Sequence, residues 1–412
     1  MERRRVVVTG MGAVTPVGHT VDATWDALVA GRNGIGCVTR FDTTGYSSRL
    51  AAEIKGFDPA VHLDGRTARR SDPFIQYAIV AARQAVRQAG LVVDETNRER
   101  IGVVFGSGIG GVNAWGDGVR TLLERGPGRV SPLLIPMLIG NMAAGMVSID
   151  LGARGPNKSI QTACATSAHC IGDAVRLIQY GDCDVVVAGG SEAAVEPIAY
   201  AGFCSMKAFS TRNNDPEHAC RPFDQGRDGF IMAEGSAALV LETWEHAMAR
   251  GAEPLAEVAG YGQSADAYHM AAPLPNGDGA AAAMRAALAD AGLTAADLGY
   301  INAHATSTPA GDVSEVNAIR QLYGCERPPV AISSTKSMTG HLLGAAGALE
   351  MIVCIQAIRQ GILPPTINYT EPDPACSVDC VPNEARAARV RAAMSNSFGF
   401  GGHNCSLVAT AI

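Results

Sequence analysis

The chain has 412 residues, 47% of them hydrophobic and 18% charged, with a formal net charge of -7. That length supports a sizeable core, in two domains or in one large duplicated one, and the composition excludes a disordered chain. The acidic balance gives no general electrostatic reason to expect nucleic-acid binding, and eleven cysteines without paired C-x-x-C spacing argue against a zinc framework or a disulfide scaffold.

Met1 to Arg5 is basic, but the apolar stretch after it is too short for a secretory signal. It reads instead as the entry to a strand, Val6 to Thr9, that ends in a tight turn at Gly10-Met11-Gly12. Those glycines miss the G-x-G-x-x-G spacing of a nucleotide loop. Val21 to Ala30 reads as a helix, and Ser71 to Ala89 as a longer one with Asp72 near its start and Gly90 past its end. Ile101 to Phe105 is a strand running into Gly106-Ser107-Gly108-Ile109-Gly110-Gly111, where backbone can approach a ligand or another chain closely. Val130 to Ile149 carries no charge over twenty residues. Pro132, Pro136, Gly140, Asn141 and Gly145 interrupt it, which points to a core or an interface and not to a membrane helix. With the missing signal and the unpaired thiols, the expected location is cytoplasmic.

Gln161 to His169 sets Cys164 among small residues at the opening of a helix read over Cys170 to Asp182. The helix dipole and free N–H groups at such a start would stabilise a thiolate. Asp184 to Ala188 is a buried strand that turns at Gly189-Gly190, and Ser210 to Gly229 is a long ordered loop of the kind that carries function. Ala237 to Glu242 is a strand and Glu245 to Ala249 begins a helix. The second half repeats this grammar: strands at Leu255 to Gly260, Tyr300 to Ala303, Val330 to Ser333 and Ser406 to Ala409, with helices at Gly279 to Ala291, Asp312 to Leu322 and Gly344 to Gln360. Alternating strands and helices in both halves predict an α/β fold with a largely parallel core, duplicated about a boundary near 250 to 255.

Two histidines share the setting of Cys164. Asn302-Ala303-His304-Ala305-Thr306-Ser307-Thr308 follows an apolar strand and leads into Gly311-Asp312, while Lys336-Ser337-Met338-Thr339-Gly340-His341 follows Val330-Ala331-Ile332. In open α/β sheets ligands bind beyond the carboxyl ends of strands, so Cys164, His304 and His341 converge there from three strand ends. His19, His62, His218 and His246 read as ordinary polar residues. A partly buried Lys336 needs a charged partner, for which Glu315 and Asp312 are the candidates.

These motifs, with Thr162-Ala163-Cys164-Ala165-Thr166 and Asn396-Ser397-Phe398-Gly399-Phe400-Gly401-Gly402, stand in the order and at the spacing of one family. Over essentially its whole length the chain resembles the elongating, type II β-ketoacyl-[acyl carrier protein] synthases. The resemblance implies a thiolase-like fold of duplicated α-β-α-β-α halves in five layers, here residues 1–252 with the cysteine and 253–412 with the histidines. It also implies a ping-pong acyltransferase. Cys164 takes an acyl group from acyl carrier protein, the Cys164 and Phe400 N–H groups hold the oxyanion, and His304 and His341 donate to the enolate left by malonyl decarboxylation. Lys336, paired with Glu315 and supported by Asp312, holds the electrostatics. By the same resemblance Phe400 is a gate, Ile109 ends the acyl pocket near a dimer interface, and Thr306 and Thr308 contact pantetheine. Arg66, Arg69, Arg70, Arg129, Lys207 and Arg212 form the patch that meets the acidic carrier protein. No organic cofactor is implied. A structural monovalent cation found in some members would fall at Glu350, Asn302, Ser395 and Asn396.

The chain departs from the family pattern at His403, where Thr is usual, and at Glu196, both of which resemble an actinobacterial long-chain branch. It departs also at Ala271, in a loop matching Asp266 to Met270, and at Ser167-Ala168-His169. These differences bear on acyl specificity and gating. Homodimeric fatty-acid elongation is the leading expectation, with a polyketide or polyene ketosynthase paired to a chain-length partner as the alternative. A non-catalytic partner subunit would lack Cys164, a degradative thiolase would carry a second active-site cysteine, and a start-up synthase would carry Asn where His341 stands.

Overall fold

In a computed structural model that describes residues 3–412, ten strands form one sheet: β1 (Val6–Val14), β2 (Ile101–Gly106), β3 (Asn157–Lys158), β4 (Val185–Glu192), β5 (Gly235–Thr243), β6 (Ala256–Ala265), β7 (Tyr300–Asn302), β8 (Ala331–Ser333), β9 (Ala392–Gly399) and β10 (His403–Thr410). Their spatial order is β8-β7-β9-β10-β6-β1-β5-β4-β2-β3. Read outward from the β6–β1 junction, the two halves are the same arrangement. In each, the first two neighbours pair antiparallel and the next two parallel. The thiolase-like duplication is thus a property of topology, with β1, β5, β4, β2, β3 matched by β6, β10, β9, β7, β8.

Seven helices complete the layers: α1 (Pro73–Ala89), α2 (Val112–Arg125), α3 (Met142–Leu151), α4 (Thr166–Tyr180), α5 (Asp278–Ala291), α6 (Pro309–Tyr323) and α7 (Ala346–Gln360). Helices α4 and α7 pack on each other and on strands of both halves, so the sheet folds back around them and they form the middle layer. Both helices are buried over most of their circumference, as doubly covered helices must be, with Glu350 among the few polar side chains inside. Helices α1 and α3 cover one outer face, and α5 with α6 covers the other.

Several expectations shift. Helix α1 begins at Pro73, with the Asp72 carboxylate accepting from the Phe74 N–H, and stops at Gly90, whose φ of 59° only glycine adopts cheaply. Gly10 and Gly12 are not a turn: β1 runs through them to Val14 because α1 lies directly against it. A Cβ at either position would sit 2.0 Å from the Ala85 or Ala81 carbonyl oxygen. Likewise β4 continues through Gly189-Gly190 to Glu192. Of the basic N-terminal stretch, Met1 and Glu2 lie outside the described residues, while Arg5 pairs with Glu257 and stacks over Trp244. The uncharged run of residues 130–149 becomes a short helix, Leu134–Leu138, and most of α3. No helix among the described residues is long and apolar enough to cross a membrane. All eleven cysteines are free thiols.

Candidate active site

Cys164 lies in a single 3₁₀ turn, Ala163–Ala165, immediately before α4. The turn closes through the Ala165 N–H to the Thr162 carbonyl and through the Thr162 N–H to the Thr166 hydroxyl, and it holds Ala163 at a φ of 50°. That left-handed conformation is strained for a residue with a Cβ, and it swings the next side chain out of the helix path. Gly399, the last residue of β9, backs the turn so closely that a Cβ there would be 3.1 Å from the Cys164 nitrogen. The Phe400 N–H then faces the Cys164 sulfur.

His304 follows β7, and its ring lies 5.3 Å from that of His341 at an interplanar angle of 85°. Glu315 on α6 fixes the His304 loop by accepting from the His304 and Ala305 N–H groups at 2.9 and 2.7 Å and from Asn396 Nδ2 at 3.0 Å. His341 follows β8 and is pinned through its backbone. Its N–H donates to the Ile231 carbonyl at 2.8 Å and its carbonyl accepts from the Ala233 N–H at 2.9 Å. The Cys164 sulfur and one ring nitrogen of each histidine lie within 4.8 Å of one another.

The electrostatics differ from the expected dipole-stabilised thiolate. The sulfur precedes α4 instead of standing in its first turn, and burial pushes the Cys164 thiol up to about 12. The Lys336 charge works against that rise, while Glu192 and Glu350 add to it. Burial, then Lys336, holds both imidazoles well below the ordinary histidine range, so each is neutral and keeps one N–H to donate. Both ring nitrogens of His341 and Nδ1 of His304 have no hydrogen-bond partner among the described residues. The trio is also the one group among the described residues spaced to hold a metal ion. The neighbouring Lys336 ammonium opposes a cation there.

Lys336 is paired with Glu350 on α7, not with Glu315 as expected, and both partners are buried. The reason is that the Glu315 oxygens are already taken by three N–H donors. Asp312 likewise accepts from the Ser307 and Phe223 N–H groups and lies 3.4 Å from Arg227, so it braces the loop behind Thr308 and does not touch Lys336.

A cavity of about 660 Å³ opens from the trio to the surface and is mostly apolar. Ile109, Phe203, Phe400 and Leu343 line it together with Cys164, and Thr306, Thr308 and Lys207 also contribute to its walls. Arg66, Arg69, Arg70, Arg129 and Lys207 are exposed; Arg212 is half-buried and donates to the Gly226 carbonyl, so it is tied to its own loop. Glu196 does not line the cavity; it caps the helix Pro197–Ser205. His403 is exposed at the start of β10, and Ala271 lines the cavity. The sequence reading missed Glu192, Glu350's role as ion partner, and Gly399. A carboxylate ending an otherwise apolar buried strand was the available signal for Glu192.

Comparison with known proteins agrees with this geometry. The family model described as "Beta-ketoacyl synthase, N-terminal domain" matches residues 3–247, and that described as "Beta-ketoacyl synthase, C-terminal domain" matches residues 255–370. The chain is 51% identical over 407 residues to a 3-oxoacyl-[acyl-carrier-protein] synthase 2 of Synechocystis, covering 99% of this chain and 98% of the relative. A solved ishigamide ketosynthase/chain length factor superposes with a TM-score of 0.92 at 38% identity, covering all of both chains. A type II polyketide-synthase acyl carrier protein in complex with its ketosynthase also gives 0.92, at 32% identity and full coverage of both chains. The chain belongs to the β-ketoacyl synthase family.

Proposed function

We propose that this chain is an elongating 3-oxoacyl-[acyl carrier protein] synthase. The observation that carries the reading is a nucleophile and two neutral imidazoles within 4.8 Å of one another at the base of an apolar cavity. In the first half-reaction the Cys164 sulfur attacks the thioester carbonyl of an acyl carrier protein. The new C–S bond replaces the old one, and the carrier's sulfur leaves with the thiol proton. The Cys164 and Phe400 N–H groups receive the oxyanion, a role supported by the Phe400 N–H facing the Cys164 sulfur. In the second, malonyl carrier protein loses carbon dioxide, and the electron pair of the broken C–C bond becomes an enolate. Imidazole N–H groups of His304 and His341 stabilise its oxygen without quenching the carbanion. The enolate carbon attacks the acyl-cysteine, the C–S bond breaks, and Cys164 takes up a proton as a 3-oxoacyl chain two carbons longer departs.

Carrier protein is the partner supported by the printed name of the 51% identical relative and by the solved ketosynthase complex. The exposed Arg66, Arg69, Arg70 and Arg129 suit an acidic partner. Pairing with a second chain is supported by the exposed apolar side chains Trp115, Leu122 and Leu123 on α2 and Ile135 and Ile149 nearby, beside the unpaired edge of β3. Fatty-acid elongation is favoured over the polyketide alternative by 51% identity against 38% and 32%. A cytoplasmic location fits the free thiols.

The reaction as written calls on no organic cofactor. What supports a structural monovalent cation is that Glu350 Oε2, Asn302 Oδ1 and Ser395 Oγ are buried oxygens without partners among the described residues. Asn302 and Ser395 are directly opposed on β7 and β9. The Asn396 side chain does not fit, being engaged by Ser406 and Glu315. The function is tested by intact mass. The protein incubated with acyl carrier protein gains one acyl group on Cys164, and adding malonyl carrier protein removes it with formation of a 3-oxoacyl product. No gain of mass with any chain length would overturn the reading.

A further inference from the structure

Glu192 ends β4 fully buried, and the condensation just described gives it no task. Its Oε1 accepts from the Ser107 hydroxyl at 2.8 Å and the Ile109 N–H at 3.1 Å, and its Oε2 from the Gly108 N–H at 2.8 Å and the Gly344 N–H at 3.0 Å. The carboxylate therefore joins two separate segments. One carries Ile109, which lines the cavity; the other is the turn Leu343–Ala345, which begins two residues after His341. The segments meet only because both are glycine at the contact: a Cβ on Gly344 would lie 2.4 Å from the Gly108 nitrogen and 2.8 Å from Glu192 Oε2.

We propose that Glu192 is a positioning residue that couples the Ile109 wall of the cavity to the turn behind His341, so that an acyl chain long enough to press on Ile109 sets His341 for condensation. A buried carboxylate shared between two segments cannot release either one without leaving charge and donors unsatisfied, so displacement at Ile109 is carried to Gly344. The N–H and carbonyl of His341 itself are held by Ile231 and Ala233, so a shift at Gly344 reaches His341 through Leu342 and Leu343 and acts on how its ring is set, not on its backbone bonds. The proposal rests on the condensing function proposed above.

The test separates chain lengths. Cys164 is loaded with butyryl or with palmitoyl, malonyl carrier protein is added, and single-turnover condensation is followed. It is run in the unaltered protein, Glu192→Gln, Ile109→Ala and the double variant. Glu192→Gln is expected to lose roughly tenfold more rate with palmitoyl than with butyryl, within the usual span of coupling between sites. Ile109→Ala should abolish that difference, so the double variant shows no further differential loss. Equal loss at both lengths, or additive effects in the double variant, overturns the coupling. Ser107→Ala removes one donor and keeps the carboxylate. It is expected to give the same differential at smaller size, and keeps the test available if Glu192→Gln does not fold. Failure of the unaltered protein to load either acyl group would instead count against the condensing function.

Discussion

The two halves place the same backbone device at equivalent points and finish it differently. Helices α4 and α7 each follow a 3₁₀ turn whose first residue has a positive φ, Ala163 at 50° and Leu343 at 49°. Each turn is met by the last residue of a strand from the other half: Gly399 of β9 stands against the Cys164 nitrogen, and Glu192 of β4 accepts from the Gly344 nitrogen. Such turns present N–H groups that favour negative charge. Where the opposing residue is glycine, the turn stays open and carries Cys164, the proposed nucleophile. Where it is glutamate, a resident carboxylate fills the equivalent space and the turn carries glycine. One copy is thus kept for chemistry and the other is locked as structure.

Breaking the open copy has the largest expected effect. Cys164→Ala removes the sulfur, and acyl transfer from carrier protein falls to background, a loss on the order of 10⁴-fold or more by comparison with other covalent nucleophiles. Unchanged thermal unfolding would show the fold intact, while normal condensation in this variant would falsify the mechanism. His304→Ala and His341→Ala come next: each still gains an acyl mass on Cys164, yet condensation slows by about 10²–10³-fold, as for loss of one oxyanion donor. Normal condensation in both variants would sink the enolate assignment.

Lys336→Ala acts on stability as well as chemistry. It strands the buried Glu350 carboxylate, at a cost of about 3–5 kcal/mol read from denaturant midpoints, and Lys336→Met combined with Glu350→Gln should recover much of it. A smaller, pH-dependent effect comes from the histidines. Their folded pKa values lie well below 6.5, so below that pH the unfolded chain binds protons that the folded chain refuses. Their contribution to stability is complete above pH 6.5 and is lost as pH falls toward the folded values. The slope of stability between neutral and mildly acid pH should therefore be shallower in a His304→Gln, His341→Gln variant, and an unchanged slope would refute it.

How much of this was legible in the sequence follows from the range of the interactions. Helix α1 could be read closely because Asp72, Pro73 and Gly90 act locally on its ends. The approach of Cys164, His304 and His341 followed from their common place beyond strand ends, together with motifs whose spacing is specific to a family. Pairwise choices were not legible. Lys336 has Glu315 and Glu350 as chemically equal partners, and only the tertiary packing, which fills the Glu315 oxygens with backbone N–H groups, decides for Glu350. Gly10 and Gly12 carry the punctuation of a turn but serve close packing of α1, which depends on residues more than 60 positions away. The duplication was legible only as a repeated alternation of strands and helices, because it is conserved in strand order and direction and not in residue identity.

The smallest expected effect tests whether the shared strain of the two turns matters in itself. Left-handed backbone costs a residue with a Cβ roughly 1–2 kcal/mol, while glycine costs about 0.5–1 kcal/mol more unfolded-chain entropy, so Ala163→Gly should stabilise by at most about 1.5 kcal/mol. Leu343→Gly relieves the same strain but also deletes a buried side chain against the cavity, and loss of a buried leucine costs about 2–5 kcal/mol. The two substitutions, alike in backbone terms, should therefore move the unfolding midpoint in opposite directions. If Ala163→Gly instead destabilises, the strain at the nucleophile is not relieved by glycine, and the methyl of Ala163 is holding Cys164 in place by packing.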